Sequence, residues 1–291
     1  MKKLIGVVIL GAVLVLGCSQ SEKNLKVFIS VDMEGVAGVV HWEEVSRNGK
    51  DYDLFRELMT QETNAAIEGA IAAGATEILV RDGHGSARNI LPHLLDKRAR
   101  LLRDWAYTEF EMMEGIDETY DAVVFIGYHA KAGTEDSPLA HTISGSVIKD
   151  LSVNGISLPE AGYNALMAGY FDVPVVFLSG GKAICNHAKE LFGEVETVVV
   201  KDGMGTANLG LHPEVVQDKI RKGVKKSLQN LKKYKPYKLK SPYTIVLTVK
   251  KKEYVTKGLD YPGVKQTGEM ELTYTSNDLV DILKAFLAVW N

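Results

Sequence analysis

The chain has 291 residues, with 34 Lys and Arg against 37 Asp and Glu, and a formal net charge of -3 at pH 7. This balanced, mildly acidic composition excludes a broad basic surface, so no nucleic-acid partner is expected. The one basic run, Lys225–Lys240, is expected to be a solvated helix end and linker, with an anionic-surface contact as the alternative. The length suffices for one large domain, or for one large and one small domain.

The N-terminus predicts export. A short basic start precedes an apolar run that ends at Leu16 and is too short for a lasting membrane span. The stretch 15–18 resembles the bacterial lipoprotein signal, which implies cleavage before Cys18 and lipidation of that cysteine. Residues 1–17 are then a signal peptide and residues 18–24 a lipidated tether, which predicts a membrane-anchored protein of the bacterial cell envelope, on the exported side. An ordinary secreted protein is the alternative.

From Leu25 onward, apolar runs rich in β-branched residues alternate with patterns of helical periodicity. Strands are predicted over Leu25–Val31, Thr76–Val80, Ala122–Ile126, Val147–Val153, Val175–Leu178 and Val195–Val200. Helices are predicted over Tyr52–Ala73, Pro159–Tyr170 and Lys182–Phe192. Strands separated by helices indicate an α/β fold in which a mostly parallel sheet is flanked by helices.

The pattern changes near Lys201. Beyond it the sequence predicts two more helices and two more strands, over His212–Leu231, Tyr243–Val249, Glu269–Thr275 and Asp278–Trp290. We therefore expect a metal-binding α/β catalytic domain over residues 25–205 and a smaller α+β subdomain over residues 206–291. The alternative is that the C-terminal part extends the same sheet.

Five short segments carry carboxylates and imidazoles, most of them at the end of a predicted strand. Their side chains are, in chain order, Asp32 and Glu34, Asp82 and His84, His129, His141, and Glu160. Carboxylate oxygen and imidazole nitrogen are ligands that zinc and similar ions accept. The carboxyl ends of neighbouring parallel strands converge on one crevice. The sequence therefore predicts a metal centre there, and a metallohydrolase with two cocatalytic ions.

Each of these residues also has a structural alternative when it is taken alone. The Asp32 and Glu34 pair can cap the turn that follows its strand, and His84 can be an exposed residue of an Asp-Gly turn. Asp82 is predicted to orient an imidazole. Glu160 lies at a predicted helix start, where the helix dipole stabilises a carboxylate even without a metal. The occurrence of all five segments in one chain favours the metal centre.

Together the segments SVDMEG, DGHG, GYHA, the following His-Thr pair and PEAGYN resemble the zinc D-aminopeptidases of the dipeptide-transport type. The similarity extends from about Leu25 to the C-terminus. It implies a site of two zinc ions per subunit, with a catalytic role for His141 and with Asp32 as the bridging carboxylate. The ligands that it implies are Asp32, Glu34, His84, His129 and Glu160. It also implies a ring-shaped homo-oligomer.

The function inferred from the sequence is metal-assisted hydrolysis of short peptides with an N-terminal D-residue, such as D-Ala. In this scheme His141 acts as a general base or stabilises the oxyanion when protonated. A dizinc hydrolase of another amide or a phosphoester bond is the first alternative, although Asn208 stands where a dinucleotide fingerprint beginning at Gly203 needs glycine. A non-catalytic envelope lipoprotein that binds peptides or metal is the second, and the spare imidazole of His141 argues against it.

Overall fold

The computed structural model describes residue 1 and residues 24–290 of the chain. The predicted signal peptide and lipidated tether lie outside the described residues, except for residues 1 and 24. The cleavage and the lipidation of Cys18 stay predictions. Within the described part, none of the helices is both long enough and apolar enough to cross a membrane.

The described chain alternates between strands and helices. The strands are β1 (Leu25–Val31), β2 (Ala75–Asp82), β3 (Arg100–Leu102), β4 (Ala122–Tyr128), β5 (Ile148–Val153), β6 (Ile156–Ser157), β7 (Val175–Gly181), β8 (Glu196–Met204), β9 (Ala207–Gly210), β10 (Tyr243–Val249), β11 (Lys265–Gly268) and β12 (Glu271–Ser276). The α-helices are α1 (Trp42–Val45), α2 (Tyr52–Ala72), α3 (Glu160–Tyr170), α4 (Lys182–Phe192), α5 (Pro213–Leu228), α6 (Lys252–Leu259) and α7 (Leu279–Trp290).

The larger sheet has seven strands in the order β3-β2-β1-β4-β7-β8-β9. All of its neighbouring pairs are parallel except the last, because β9 returns from β8 through a tight hairpin. Strands β1 and β4 are almost wholly buried, as expected for strands that are covered on both faces. The predicted α/β class with a mostly parallel sheet is confirmed.

Two hydrophobic cores lie on opposite faces of this sheet. Val27 and Ile29 of β1 pack with apolar residues of α2 and α5, whereas Phe28, between them, belongs to the core that also contains α3, α4 and the second sheet. Successive side chains of a strand point to opposite faces, so one short run supplies both cores. Helix α2 ends before Gly74, whose φ of +98° is readily adopted only by glycine.

The second sheet has five antiparallel strands in the order β11-β12-β10-β5-β6. Strand β5 was predicted among the strands of the parallel alternation, and that placement is wrong, because β5 pairs antiparallel with β10. Its residues alternate between buried and more exposed positions, which is typical of an antiparallel strand with one solvated face.

The boundary predicted between the two domains at residue 205 stays a prediction. In the structure, the two sheets do not correspond to two successive parts of the chain. Strand β9 and helix α5 follow residue 205 but pack on the larger sheet, while β5 and β6 precede it and lie in the second sheet. The predicted strands and long helices all form, with ends shifted by a few residues. Short elements such as α1, β3, β9 and α6 were not predicted, because their runs are too brief or too polar for a periodic signal.

Candidate metal centre

The register of the central strands brings three of the predicted segments to one edge of the larger sheet. Val31, the last residue of β1, pairs with Asp82 of β2 on one side and with Ile126 of β4 on the other. The ladder continues one step further, because the amide of Asp32 donates to the carbonyl oxygen of Ile126 at 2.8 Å. The side chains that follow β1, β2 and β4 therefore lie next to one another, as expected at the carboxyl edge of a parallel sheet.

Gly35 allows the loop after β1 to cross closely over the end of β4. Its amide donates to the carbonyl oxygen of Gly127 at 2.7 Å. A Cβ atom at position 35 would overlap the carbonyl oxygen of Tyr128, which is backbone and cannot move aside cheaply. The sequence marked Gly35 only as part of a loop, whereas the structure shows that it holds the loop carrying Asp32 and Glu34 directly against the end of β4.

We expect Gly35→Ala to lower the free energy of unfolding by about 3 kcal/mol, because the new methyl group must push two strand ends apart. The displaced loop should also lose zinc. Gly74→Ala is the matched control, because Gly74 has a positive φ but no atom within 4 Å of the added Cβ, so it should cost only about 1–2 kcal/mol and leave zinc binding intact. Urea denaturation and zinc analysis of both variants test this. Equal losses in the two variants would contradict the close-contact explanation.

The remaining predicted residues reach the same place from other elements. Glu160 is the first residue of α3, is only 4 % exposed, and accepts a hydrogen bond from the amide of Ile143 at 2.7 Å. His141 lies in the loop after β4, where its own amide donates to the carbonyl oxygen of Ala130 at 3.2 Å. Its ring stacks on that of His129, with centroids 4.0 Å apart and planes at 6°. All six predicted site residues thus come together.

Two overlapping sets of ligand atoms share the carboxylate of Asp32. In the first, His84 Nδ1 lies 3.2 Å from Asp32 Oδ1 and 3.0 Å from Glu34 Oε2. In the second, His129 Nε2 lies 3.3 Å from Asp32 Oδ2 and 3.3 Å from Glu160 Oε1. Each set offers three ligand atoms within 4.8 Å of one another. Because Asp32 turns one oxygen toward each set, it lies where a carboxylate bridging two ions would lie.

His141 lies between the two sets rather than inside either of them. Its Nε2 is 3.6 Å from Glu160 Oε1 and 3.9 Å from Glu34 Oε1. The same nitrogen can form a third set with Glu34 and His129, so geometry alone allows His141 as a ligand or as a free imidazole beside the metals. The edge-on contact of its ring with Trp42, at a centroid distance of 5.2 Å, holds the imidazole in this position.

Backbone carbonyl groups orient all three imidazoles. His84 Nε2 lies 2.8 Å from the carbonyl oxygen of Val45, His129 Nδ1 2.9 Å from that of Ala130, and His141 Nδ1 2.8 Å from that of Leu139. A carbonyl oxygen only accepts, so each of these nitrogens carries the proton and donates it. The opposite nitrogen of each ring then points into the centre, which is the arrangement of a metal-binding histidine.

The chemistry of these residues fits a divalent cation. Asp32 Oδ2, Glu34 Oε2 and His129 Nε2 are buried, and each lies 3.0–3.3 Å from an ion-pair partner, but none of the three makes a hydrogen bond of good geometry among the described residues. Buried polar atoms without partners are rare in folded proteins because each one costs free energy. Three carboxylates buried side by side add mutual repulsion. Zn²⁺ would satisfy the unpartnered atoms and neutralise the carboxylates, with ligand types that it prefers.

In the metal-free protein, protons bound to the histidines neutralise part of the negative charge that a metal ion would neutralise. Burial disfavours the charged form of His84, but the carboxylates of Glu34 and Asp32 outweigh it and raise the pKa of His84 well above 6.5. Glu160 and Asp32 raise the pKa of His129 in the same way against its burial. Although burial opposes it, the two histidines together hold the pKa of Asp32 well below its usual range. Near neutral pH, both histidines are therefore protonated when no metal is bound.

Zinc uptake is accordingly expected to release about two protons per chain near pH 7, and the apparent zinc affinity should increase with pH until the raised histidine pKa values are passed. Titration calorimetry in two buffers of different ionisation enthalpy counts the released protons. A zinc affinity that does not change between about pH 6 and pH 8 would contradict this protonation state. The stability that the histidines give the metal-free fold should be complete below pH 6.5, their ordinary pKa, and should be lost as pH rises through the raised values.

Two residues near the centre have roles that the sequence did not reveal. Asp82 was predicted to orient an imidazole, and this is wrong: its carboxylate accepts hydrogen bonds from the amide and side chain of Asn89 and from the amide of Ile90. It thus fixes the loop that carries His84. Lys201 of β8 is buried, and its Nζ donates to the carbonyl oxygens of residues 34, 36 and 39 at 2.5, 3.0 and 2.6 Å. A buried lysine in a distant strand therefore secures the loop after β1.

The centre lies at the base of a cleft of about 560 Å³. Asp32, Glu34, His84, His141 and Glu160 line its floor, and its walls include aromatic side chains from the loops that follow the strands. A cleft of this size admits a short peptide. The fold and the site together define a class of protein, namely α/β proteins with a carboxylate–imidazole centre suited to two adjacent divalent cations.

Residues 25–288 match the family described as D-aminopeptidase, and the chain belongs to that family. A D-aminopeptidase of Bacillus subtilis (strain 168) is 31 % identical over 272 residues, which cover 91 % of this chain and 96 % of that protein. Among solved structures, the zinc-dependent D-aminopeptidase DppA from Bacillus subtilis, a self-compartmentalizing protease, superposes with a TM-score of 0.87 at 29 % identity, covering 91 % of this chain and 97 % of the other. The family resemblance seen in the sequence is confirmed, and with it the enzyme class.

Proposed function

We propose that this protein is a zinc-dependent D-aminopeptidase that removes N-terminal D-residues, such as D-Ala, from short peptides. Its site would hold two zinc ions per chain. The ligands would be Asp32, Glu34, His84, His129 and Glu160. The observation that carries the proposal is the pair of ligand sets that share Asp32 at the floor of a cleft large enough for a short peptide. Membership of the D-aminopeptidase family supports the choice of a peptide bond over a phosphoester.

When bound, zinc supplies a Lewis acid and lowers the pKa of a nucleophilic water. The side chains of the protein align the reacting groups and transfer the proton. Asp32 keeps the two ligand sets adjacent, so that the attacked carbonyl group and the water are held together. His141 has its Nδ1 proton committed to the carbonyl oxygen of Leu139, which leaves Nε2 facing the cleft. That nitrogen takes a proton during attack and returns it to the departing amine.

The proposed assembly is a ring-shaped homo-oligomer. Its support is the relative described as self-compartmentalizing, together with an exposed group of apolar side chains near the edge strand β9. Met204 is 66 % exposed and Leu209 72 %, and Leu211 and Val215 beside them are also exposed. Adjacent exposed apolar side chains of this kind often mark interfaces.

We expect the protein to sediment as an oligomer, and Leu209→Lys to shift it toward smaller species, because a buried interface does not accept an unpaired charge. Analytical ultracentrifugation of both forms is the measurement. Lys97→Glu, an exchange of charge at an exposed position outside β9 and α5, serves as the control. An assembly that Leu209→Lys leaves intact would place the interface elsewhere.

The proposed location is the bacterial cell envelope, with the chain anchored to the membrane through a lipid on Cys18. The supporting observation is the apolar N-terminal run that ends in the lipoprotein-like stretch 15–18. Peptidoglycan fragments contain D-residues, so an enzyme exported to this compartment would meet substrates of the proposed class. Metabolic labelling with a fatty acid, compared between the wild type and Cys18→Ala, tests the anchor.

The decisive experiment compares hydrolysis of D-Ala and L-Ala p-nitroanilides, and of the matching dipeptides, by the zinc-loaded protein and after chelation. The proposal predicts release that is selective for the D-residue and that chelation abolishes. Bound zinc and an assembled oligomer without any release would contradict it, and would favour another amide or phosphoester bond or a binding protein. Selectivity for L-Ala would retain the aminopeptidase chemistry but contradict the proposed substrate.

A further inference from the structure

One carboxylate of the cleft has no assigned partner. Asp32, Glu34 and Glu160 belong to the two ligand sets. Glu114 forms an ion pair with the buried Arg81 at 3.0 Å and also accepts hydrogen bonds from the segment in front of it. Glu111 lines the cleft as well, but its Oε2 is buried without a hydrogen-bond partner among the described residues.

The backbone holds Glu111 in an unusual conformation. The residue opens a single turn of 3₁₀ helix, Glu111–Met113, with a φ of +41°. Side chains other than glycine rarely adopt such an angle, and where they do it is often part of a functional site. Arg81 Nε donates to the carbonyl oxygen of Glu111 at 3.1 Å, and Ser30 Oγ donates to that of Met112 at 2.9 Å. These two bonds fix the turn from the side of the sheet.

Arg81 anchors the segment from Asp104 to Glu114, which forms one wall of the cleft. Its guanidinium is fully buried and lies over the ring of Trp105, with 4.4 Å between Cζ and the ring centroid. It also donates to the carbonyl oxygen of Asp104 at 2.8 Å. The segment from Asp104 to Glu114 is therefore bound to one buried cation at several points. A rigid wall can hold a single carboxylate at a set position, as a recognition group requires.

Glu111 is poorly suited to a purely structural role. Burial, with the charges of Glu160 and Glu114 nearby, raises its pKa to about 8. Tyr163, whose pKa is raised by burial and by the charge of Glu111, has a hydroxyl that is also buried without a hydrogen-bond partner among the described residues. Glutamine or an apolar residue would fill this space with less free-energy cost. Glu111 does not belong to any of the groups of described residues that could hold a metal ion.

We propose that Glu111 binds an alkylammonium group of the substrate inside the cleft. The inference rests on the proposed function, because a substrate of an aminopeptidase has a free amino terminus. A basic side chain of the substrate is the other source of the same chemical group. Because the pKa of Glu111 is about 8 without a ligand, binding of an ammonium near neutral pH releases a proton from this carboxyl group. The charged hydrogen bond that results is among the stronger polar contacts in proteins.

The test measures equilibrium binding rather than turnover. Dissociation constants of four ligands, D-alaninamide, D-lactamide, D-lysinamide and D-norleucinamide, are determined by calorimetry on zinc-loaded proteins with Glu111, Glu111→Gln or Glu111→Asp. All of these proteins also carry His141→Ala, so that the amides are not hydrolysed during the titration. Lactamide replaces the amino terminus by a hydroxyl, and norleucinamide removes the side-chain amine. Glu118→Gln is the matched control, because Glu118 is an exposed glutamate of the same segment and does not line the cleft.

If Glu111 binds the amino terminus, Glu111→Gln should weaken binding of the three ligands with an α-amine roughly 10- to 100-fold and leave D-lactamide within about twofold. If it binds a side-chain amine, only D-lysinamide should be weakened. Glu111→Asp, which keeps the charge, should recover part of the loss in either case. Unchanged binding of all four ligands to Glu111→Gln would overturn the proposal.

Zinc content and thermal unfolding separate this result from a folding defect. Glu111→Gln should keep its zinc and unfold at the same or a higher temperature, because the variant removes a buried acid that has no partner. Failure of the proposed function is a different result, namely absence of peptide hydrolysis by the wild type. The binding measurements do not depend on that hydrolysis, so each proposal can fail alone.

Discussion

Replacing His141 with alanine is expected to lower kcat about 10²- to 10⁴-fold while two zinc ions remain bound per chain. The reason is its position. Its Nε2 lies beside both ligand sets, and each of the two sets that share Asp32 offers three ligand atoms without it. The side chain therefore contributes proton transfer to the reaction and little to metal binding. The measurement combines steady-state kinetics on a D-Ala p-nitroanilide with zinc analysis of the purified variant.

Two further variants make this result specific. His141→Gln keeps a polar side chain of similar reach but cannot exchange a proton near neutral pH, so it should lose the same activity. His93→Ala changes an exposed histidine and should retain full turnover. A His141→Ala variant with normal kcat would rule out its catalytic role, and loss of one zinc ion would show that His141 is a ligand instead.

Replacing Asp32 with asparagine is expected to have the largest effect of any single change, with loss of at least one zinc ion and a decrease in turnover of roughly 1,000-fold or more. The substitution preserves size but removes the negative charge that both sets share, and it replaces one acceptor oxygen with a donor amide. One of the two sets then faces the amide oxygen, and the other faces the amide N–H group, which cannot bind a cation, and keeps only two ligand atoms. Both sites are damaged because the same carboxylate serves them.

Asp53→Asn is the control for this variant, since the Asp53 side chain is 95 % exposed and does not line the cleft. It should bind two zinc ions and turn over normally. Zinc content, measured before and after dialysis against a weak chelator, reports the site directly. Two tightly held zinc ions in Asp32→Asn would show that the ions do not share this carboxylate.

The local pattern of the sequence was sufficient to predict that the side chains at the strand ends lie close together. Asp32 and Glu34, His84 and His129 each follow a short apolar run, and the ends of adjacent parallel strands must meet at one edge. Their convergence could therefore be predicted without a structure. Glu160 and His141 were harder, because a helix start and an irregular loop have no register. Their assignment came from the resemblance to a family rather than from the spacing.

The sequence was less informative wherever a contact joins distant parts of the chain. Strand β5 has ordinary strand character, but only its pairing with β10, almost a hundred residues later, decides its sheet. Asp82 is a carboxylate of the kind that often orients a metal-binding histidine, yet it accepts a hydrogen bond from the side chain of Asn89 instead. Lys201 resembles any lysine at the end of a strand until its Nζ is seen beneath the loop after β1.

By itself, the sequence determined the α/β class, the order of the long elements and the carboxylates and imidazoles at the strand ends, because periodicity and strand-end chemistry are local properties. The tertiary structure decided which strand joins which sheet and how Asp32 divides its oxygens between two ligand sets. It also decided that the buried Lys201 Nζ has partners, whereas Glu111 Oε2 has no hydrogen-bond partner among the described residues. These features depend on distances between residues far apart in the chain, and such distances exist only after the hydrophobic cores on both faces of the sheet have packed.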